Sequence, residues 1–304
     1  MKRLLIVLIL FFSYTTYSQT AEEYYDNGFI KVYENGDYSG AISDFTKAIE
    51  LDPDYVGAYH LRGIVKAGLK DYDGAVLDYN KAIELDPDWA EVYNNRGQAK
   101  AYLKDYSGAV ADYTKAIELD SNNSLYYYWR GLTKMDFLED YSGAISDFTK
   151  AIELDPDAAK LYIKRGSAKS ILKDYDGAIA DYTKAIELNP DYGAYYIRGN
   201  AKIYLEDYNG AIADLTKAIE LNPDYGEAYY RRANAKFTLK DFSGTISDYT
   251  KVIELYPDYA DAYVNRGIAK FFLNISIGID NHSEACQDAR KAQQLGYDAS
   301  ELIK

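Results

Sequence analysis

A single cysteine, Cys286, stands among the 304 residues, so no disulfide can close within the chain and its fold must rest on packing alone. Histidine is nearly as scarce. His60 and His282 are the only two, which is too few for a Cys/His zinc cluster and supports no Ser-His-Asp arrangement. Glycines come singly and at intervals, never as a phosphate-cradling loop. Basic charge is in deficit. The formal net charge of −14 opposes nucleic-acid backbones and anionic membrane surfaces; it favours solubility and, weakly, basic partners.

Long apolar runs are missing too. The longest, Leu4 to Phe12, is nine residues, too short to span a bilayer as a helix. Lys2 and Arg3 precede it and the small residues of Thr16-Tyr17-Ser18 follow it, which is the make-up of a secretory signal. Residues 1–18 are therefore expected to be removed by cleavage before Gln19, with export to the periplasm or beyond a bacterial cell and no membrane insertion afterwards. The alternative is retention as an anchor. Carboxylates are so abundant that a pair of them carries no information. Asp52 and Asp54 fall at the opposite end of a helix hairpin from Asp71 and Asp73, not within one calcium loop. No catalytic residue, metal site or cofactor is expected.

What is present is a period. The six prolines are Pro53, Pro87, Pro156, Pro190, Pro223 and Pro257, and Ser121 fills the slot between the second and third. The steps are 34, 34, 35, 34, 33 and 34 residues, the spacing of a helix–turn–helix repeat. Within one unit Ala41, Ile42, Phe45, Ala48 and Ile49 recur at helical spacing and form one apolar stripe, the stripe of the second helix, B. Ser39, Asp73, Ser107, Ser142, Asp176, Asn209, Ser243 and Ser283 precede helix B and are expected to cap it. Asp54, Asp88, Asn122, Asp157, Asp191, Asp224 and Asp258 are expected to cap the first helix, A. The proline ahead of each cap stops the preceding helix. One helix pair cannot bury its stripe, whereas stacked pairs can. The expectation is sixteen helices in one elongated all-α array over residues 19–296, with units near 21–53, 54–87, 88–121, 122–156, 157–190, 191–223, 224–257 and 258–296. Residues 297–304 form a tail, with Asp298 to Ile303 as a short closing helix.

Three irregularities stand out. One residue is gained between Lys134 and Leu138, and one is lost around Tyr192 to Tyr195; both should be absorbed at helix ends. Six extra residues near Asn274 to Asp280 precede the last helix B, whose polar sequence suits a terminal cap. The inserted segment could alternatively serve as a binding loop.

With an aromatic, Gly, Ala, aromatic, Ala and Pro falling on Tyr59, Gly63, Ala75, Tyr79, Ala82 and Pro87, the chain resembles the tetratricopeptide repeat family. The next unit repeats the pattern at Tyr93, Gly97, Ala109, Tyr113 and Ala116, and the resemblance extends over about eight units from Ala21 to Gly296. It implies a right-handed superhelical solenoid of antiparallel helix pairs that holds an extended peptide or helix on a concave face lined by helix A. At the positions the family uses for that face stand His60 and Ile64; Asn94, Gln98 and Tyr102; Tyr128 and Leu132; and Ile163 and Ser167. Tyr196, Asn200 and Tyr204 follow, then Tyr230, Asn234 and Phe237, then Val264, Ile268, Phe271 and Phe272. These vary between units while the framework does not. Chaperone-binding members clamp a terminal carboxylate with lysine, asparagine and arginine; His60 and Asn94 stand where lysine would be wanted, which argues against that ligand.

A charge pattern departs from the family. Arg62, Arg96, Arg130, Arg165, Arg198, Arg232 and Arg266 occupy a helix A position that is usually apolar there. Each is followed four residues on by lysine. Helix B carries Asp78, Asp112, Asp147, Asp181, Asp214 and Asp248, with Asp44 and Asp288 at the ends. We expect a structural ladder of Arg–Asp pairs along the A/B seam, since a guanidinium fork bridges two acceptors. The alternative is an anion-binding stripe. Taken together, the sequence predicts an exported scaffold that binds a protein or peptide partner. The competing role is envelope assembly, through self-association of the array end to end.

Overall fold

The structure is a computed structural model that describes residues 19–278 and 283–297. The expected signal segment, Ile279 and Asp280 of the insertion and the closing helix at Asp298 to Ile303 lie outside the described residues. Every element among the described residues is helical. The helices fall into two compact units that divide at Ser121/Asn122, the slot where proline is replaced.

The first unit contains α1 (Ala21–Ile30), α2 (Tyr38–Leu51), α3 (Val56–Gly68), α4 (Tyr72–Leu85), α5 (Ala90–Tyr102) and α6 (Tyr106–Leu119). A wide π-turn over Lys31–Asn35 extends α1. The second unit contains α7 (Ser124–Phe137), α8 (Tyr141–Leu154), α9 (Ala159–Ile171), α10 (Tyr175–Leu188) and α11 (Tyr192–Tyr204). It continues with α12 (Tyr208–Leu221), α13 (Gly226–Thr238), α14 (Phe242–Leu255), α15 (Ala260–Ser276) and α16 (Ser283–Gln294). Within each unit, consecutive helices pack as antiparallel pairs and each pair packs on the next.

The small and aromatic positions explain the close pairing. Ala75, Tyr79, Ala82, Val92 and Ala99 form one buried cluster in the first unit, and Ala233, Tyr249, Val252 and Ala262 form another in the second. Tyr79 lies flat under Gly63, where an added Cβ would stand 2.6 Å from the ring. Glycine at this helix A position is thus set by the approach of helix B.

The helix starts correct two sets of expectations. Helix B is capped two residues earlier than expected, by Asp37, Asp71, Asp105, Asp140, Asp174, Asp207 and Asp241. Each carboxylate accepts from the backbone N–H three residues on, at 2.9–3.0 Å. Ser39 and its counterparts already lie inside the first turn. Helix A mostly starts without a side-chain cap, at Tyr55, Trp89, Ala158, Tyr225 and Tyr259. Only Asp191 caps as expected, and Asn123 rather than Asn122 caps α7. The backbone N–H groups of Asp54 and Asp88 instead bond to the side chains of Asp52 and Asp86, in local turns. Both length changes fall at helix ends: α7 is one residue longer than α5, and the link between α10 and α11 is short. In the last pair, Asn274 to Ser276 of the insertion lengthen α15.

The ladder is present, and it is more elaborate than expected. Arg62 forks onto Asp78 through Nε (3.0 Å) and Nη2 (2.6 Å), and Lys66 reaches the same carboxylate at 2.8 Å. The same three-residue set recurs at Arg96, Arg130, Arg165, Arg198, Arg232 and Arg266, the last using Asp288. The aspartates are only 4–7 % exposed at the side chain. Asp44 is joined by Lys31 at 2.6 Å, because Asn27 stands where later units have arginine. Nη1 adds a bond that the sequence did not suggest. It reaches back to the preceding helix B, from Arg62 to Thr46, Arg165 to Thr149, Arg198 to Thr183, Arg232 to Thr216 and Arg266 to Thr250, with Asn80 serving Arg96. Thr46 meanwhile donates to the Ile42 carbonyl at 2.7 Å, which fixes its hydroxyl as an acceptor for the guanidinium. A tyrosine three residues earlier lies under each guanidinium, 5.4–5.8 Å away. Each ladder arginine thus spends its Nε and Nη2 on an aspartate of the fold, as a structural pair does.

Removing one member of so buried a pair strands the other, at a cost of about 3–5 kcal/mol. Arg165→Ala should therefore lower the melting temperature clearly, and Arg165→Lys should restore only part of it because the fork is lost; an unchanged denaturation midpoint in Arg165→Ala would refute the ladder. The turns from helix A to helix B offer a change of opposite sign. Lys104 holds a left-handed φ of 65°, and the first unit has Gly36 in the same slot. Lys104→Gly should leave the protein as stable or up to about 1 kcal/mol more stable by chemical denaturation.

Candidate aromatic pockets on the helix A row

The expected partner-binding positions serve different ends in different units. In the first unit Asn94 is buried, 7 % exposed, with Nδ2 donating to Asn95 at 3.2 Å and Oδ1 unpartnered. Asn95 in turn meets the Nε2 of His60 at 3.0 Å, and the His60 ring lies 4.4 Å from Trp89. Gln98 and Tyr102 come together with Ile64, Tyr72, Glu91 and Asn95 around a pocket of about 480 Å³. Tyr102 is 67 % exposed yet stacked on Tyr72, with centroids 4.6 Å apart and planes 5° from parallel.

In the second unit Tyr128 packs on Trp129 and Phe148, and the Lys160 ammonium sits 4.9 Å above its ring. Tyr204 repeats the arrangement of Tyr102, stacked on Tyr175 at 4.8 Å. Asn200 is half-buried with Oδ1 unpartnered, and Asn234 accepts a hydrogen bond from the Tyr249 hydroxyl. Phe237 packs between Phe242 and Phe272. Asn234 and Phe237 are thus engaged in packing.

Tyr196 and Tyr230 are different, because they open onto a common pocket of about 670 Å³. Its other walls come from the start of α13 (Gly226, Glu227, Arg231), the end of α14 (Val252, Leu255) and the turn Tyr256 to Tyr259. Two substitutions within the repeat pattern create it. Tyr256 occupies the end of helix B where the other units have Asp or Asn, and Gly226 begins helix A where the others carry a side chain. The two belong together: a Cβ at 226 would lie 2.1 Å from the Tyr256 ring. Tyr230 packs on Tyr249 and Tyr259 at 5.6 and 5.5 Å, and its hydroxyl accepts from Asn265 at 3.2 Å. Tyr196 packs on Tyr225 at 4.9 Å. Burial first, with Tyr196 and Glu227 next, pushes the Tyr225 phenol up to about 12. Gly226, Arg231, Tyr256 and Tyr259 were not anticipated as site residues. Their signal in the sequence is departure from the repeat at two aligned positions, visible only once the turn is known to fold against the following helix.

Among the described residues, no group of three His, Cys, Asp or Glu side chains could hold a metal ion. No described helix is long and apolar enough to cross a membrane.

A fold of paired helices on a 34-residue period, with small residues at each crossing, is that of a tetratricopeptide scaffold. Family profiles described as TPR repeat match residues 32–70, 69–104 and 199–240, and profiles described as tetratricopeptide repeat match 90–123, 125–158, 159–192 and 227–259. The chain belongs to the tetratricopeptide repeat family. A comparison with curated proteins gave no match. Among solved structures, the chain is similar to MamA, at 27% identity and a TM-score of 0.52 over 55% of this chain and 91% of that one. It is also similar to YrrB, described as a TPR protein with an unusual peptide-binding site, at 26% identity and 0.55 over 61% and 96%. The C-terminal part of a TPR repeat-containing protein from Cytophaga hutchinsonii shares the fold at 21% identity and 0.70 over 80% and 98%.

The buried imidazole gives the first unit a pH dependence. Burial lowers the His60 pKa, against a smaller opposing pull from Glu91. The unfolded chain protonates near the usual value of about 6.5 while the folded chain resists, so the unfolded state binds more protons below that pH. Stability contributed by neutral His60 is full above about pH 6.5 and falls as the pH drops below it. Denaturation of the protein from pH 7.5 to 5 should show this loss, and His60→Gln should flatten that part of the profile.

Proposed function

We propose that the chain is an exported, non-enzymatic scaffold that binds a protein or peptide partner along the helix A row, with the Tyr196/Tyr230 pocket as its main contact. The observation that carries this is the pocket itself. Two of its wall residues, Gly226 and Tyr256, break the repeat, in a chain whose framework positions are held uniform by packing and by the arginine ladder. Tyrosine suits the role, because it offers a large rigid face and a hydrogen-bonding tip at little conformational cost. The family supports a scaffold role, and YrrB, described as having a peptide-binding site, supports a peptide as the kind of partner. Export rests on Lys2, Arg3 and the run Leu4 to Phe12.

Affinity capture from the native envelope fraction tests the proposal. The mature chain, with its N-terminus expected at Gln19 by mass spectrometry, should retain a defined partner. A variant with Tyr196 and Tyr230 changed to Ala should lose that partner while keeping its helical circular dichroism. Retention of the same partner by the folded variant, or recovery only of further copies of the chain, would overturn the groove in favour of end-to-end assembly.

A further inference from the structure

The chemistry of the 670 Å³ pocket narrows what it accepts. Its tyrosine rings present π faces, which are electron-rich and attract cations. Glu227 and Asp258 stand at its wall, and neither makes an ion pair among the described residues. Asp258 was expected to cap α15, but that helix starts at the uncapped Tyr259, so its carboxylate has no structural duty there. Arg231 also lines the pocket. Unlike the ladder arginines, it is exposed and without an ion-pair partner among the described residues. Two carboxylates against one guanidinium leave the wall negative, within a chain whose net charge is −14.

Resting on the partner-binding role above, we propose that this pocket takes a basic side chain, arginine or lysine, carried on an extended segment of a partner protein. The cation lies against Tyr230 and Tyr259 with Glu227 and Asp258 as counter-charges, and the remaining volume accommodates the flanking backbone. Arg231 is the resident cation, one helical turn beyond Glu227, and its positive charge at the pocket wall opposes the incoming side chain.

Fluorescence anisotropy on the full mature chain tests this with three labelled octapeptides of Gly and Ser, identical except for a central Arg-Arg, Gln-Gln or Glu-Glu pair. The Arg-Arg peptide should bind about tenfold or more tightly than the Gln-Gln peptide at low ionic strength, and the gap should narrow as salt is raised. Tyr230→Ala and Glu227→Gln should each reduce that preference. Arg231→Ala should instead tighten the Arg-Arg peptide several-fold, a gain that misfolding cannot imitate. Equal binding of the Arg-Arg and Gln-Gln peptides would overturn the proposal. So would an Arg-Arg preference untouched by Tyr230→Ala and Glu227→Gln, which would trace it to overall charge, or no gain in Arg231→Ala. Failure of all three peptides to bind would overturn the basic-residue specificity alone, since the groove is judged separately by partner capture.

Discussion

The fold depends on one buried electrostatic joint, repeated. Each ladder arginine forks onto an aspartate of its own helix B, shares that aspartate with a lysine one turn later, and rests on a tyrosine one turn earlier. In five of them the third nitrogen crosses to a threonine of the preceding repeat, as Arg165 does to Thr149 at 3.2 Å, and in Arg96 it crosses to Asn80. A charge so placed is costly to bury and persists only because nearly all its donors are satisfied. What it gives in return is register. Apolar stripes of alanine and tyrosine can slide; a guanidinium that must meet an aspartate and a threonine on two neighbouring helices cannot.

That joint also divides the surface into fixed and free positions. Where arginine, aspartate, threonine and the cap aspartates are committed, little variation is tolerated. The helix A positions facing away from the seam are released from those duties, and there the units diverge. Asn94 has been drawn into a buried amide and imidazole network, Tyr102 and Tyr204 stack on the preceding helix B, and Tyr196 and Tyr230 open a pocket. A single row of positions thus yields packing in one unit and a site in another.

Much of this was legible in the sequence, for a physical reason. Proline spacing and the apolar stripe report a one-dimensional array directly, because every unit solves the same packing problem. The Arg–Asp pairs were legible because both partners recur in step. The threonine acceptors were not, since Thr46 reads as an ordinary outer residue until the guanidinium is seen to reach across. The caps were misplaced by two residues because Lys-Asp-Tyr-Ser offers two side chains able to cap. The left-handed turn at residues such as Lys104 selects the aspartate. The pocket was half legible: Tyr196 and Tyr230 could be named from their helix position, whereas Gly226 and Tyr256 acquire meaning only as a pair.

The reach of each arginine to the preceding helix has a consequence for how such a chain can lengthen. A unit carries its own plug, the arginine, and its own socket, the threonine two helical turns before the proline. Duplicating 34 residues in the gene copies both halves of the fastening at once, so the new segment engages its neighbours on either side without a compensating mutation. A gain or loss of one residue is instead absorbed at a helix end, as in α7 and before α11, where the arginine still meets its aspartate. The near-identity of the seven helix B segments makes Tyr256 and Gly226 recognisable as departures from a shared pattern.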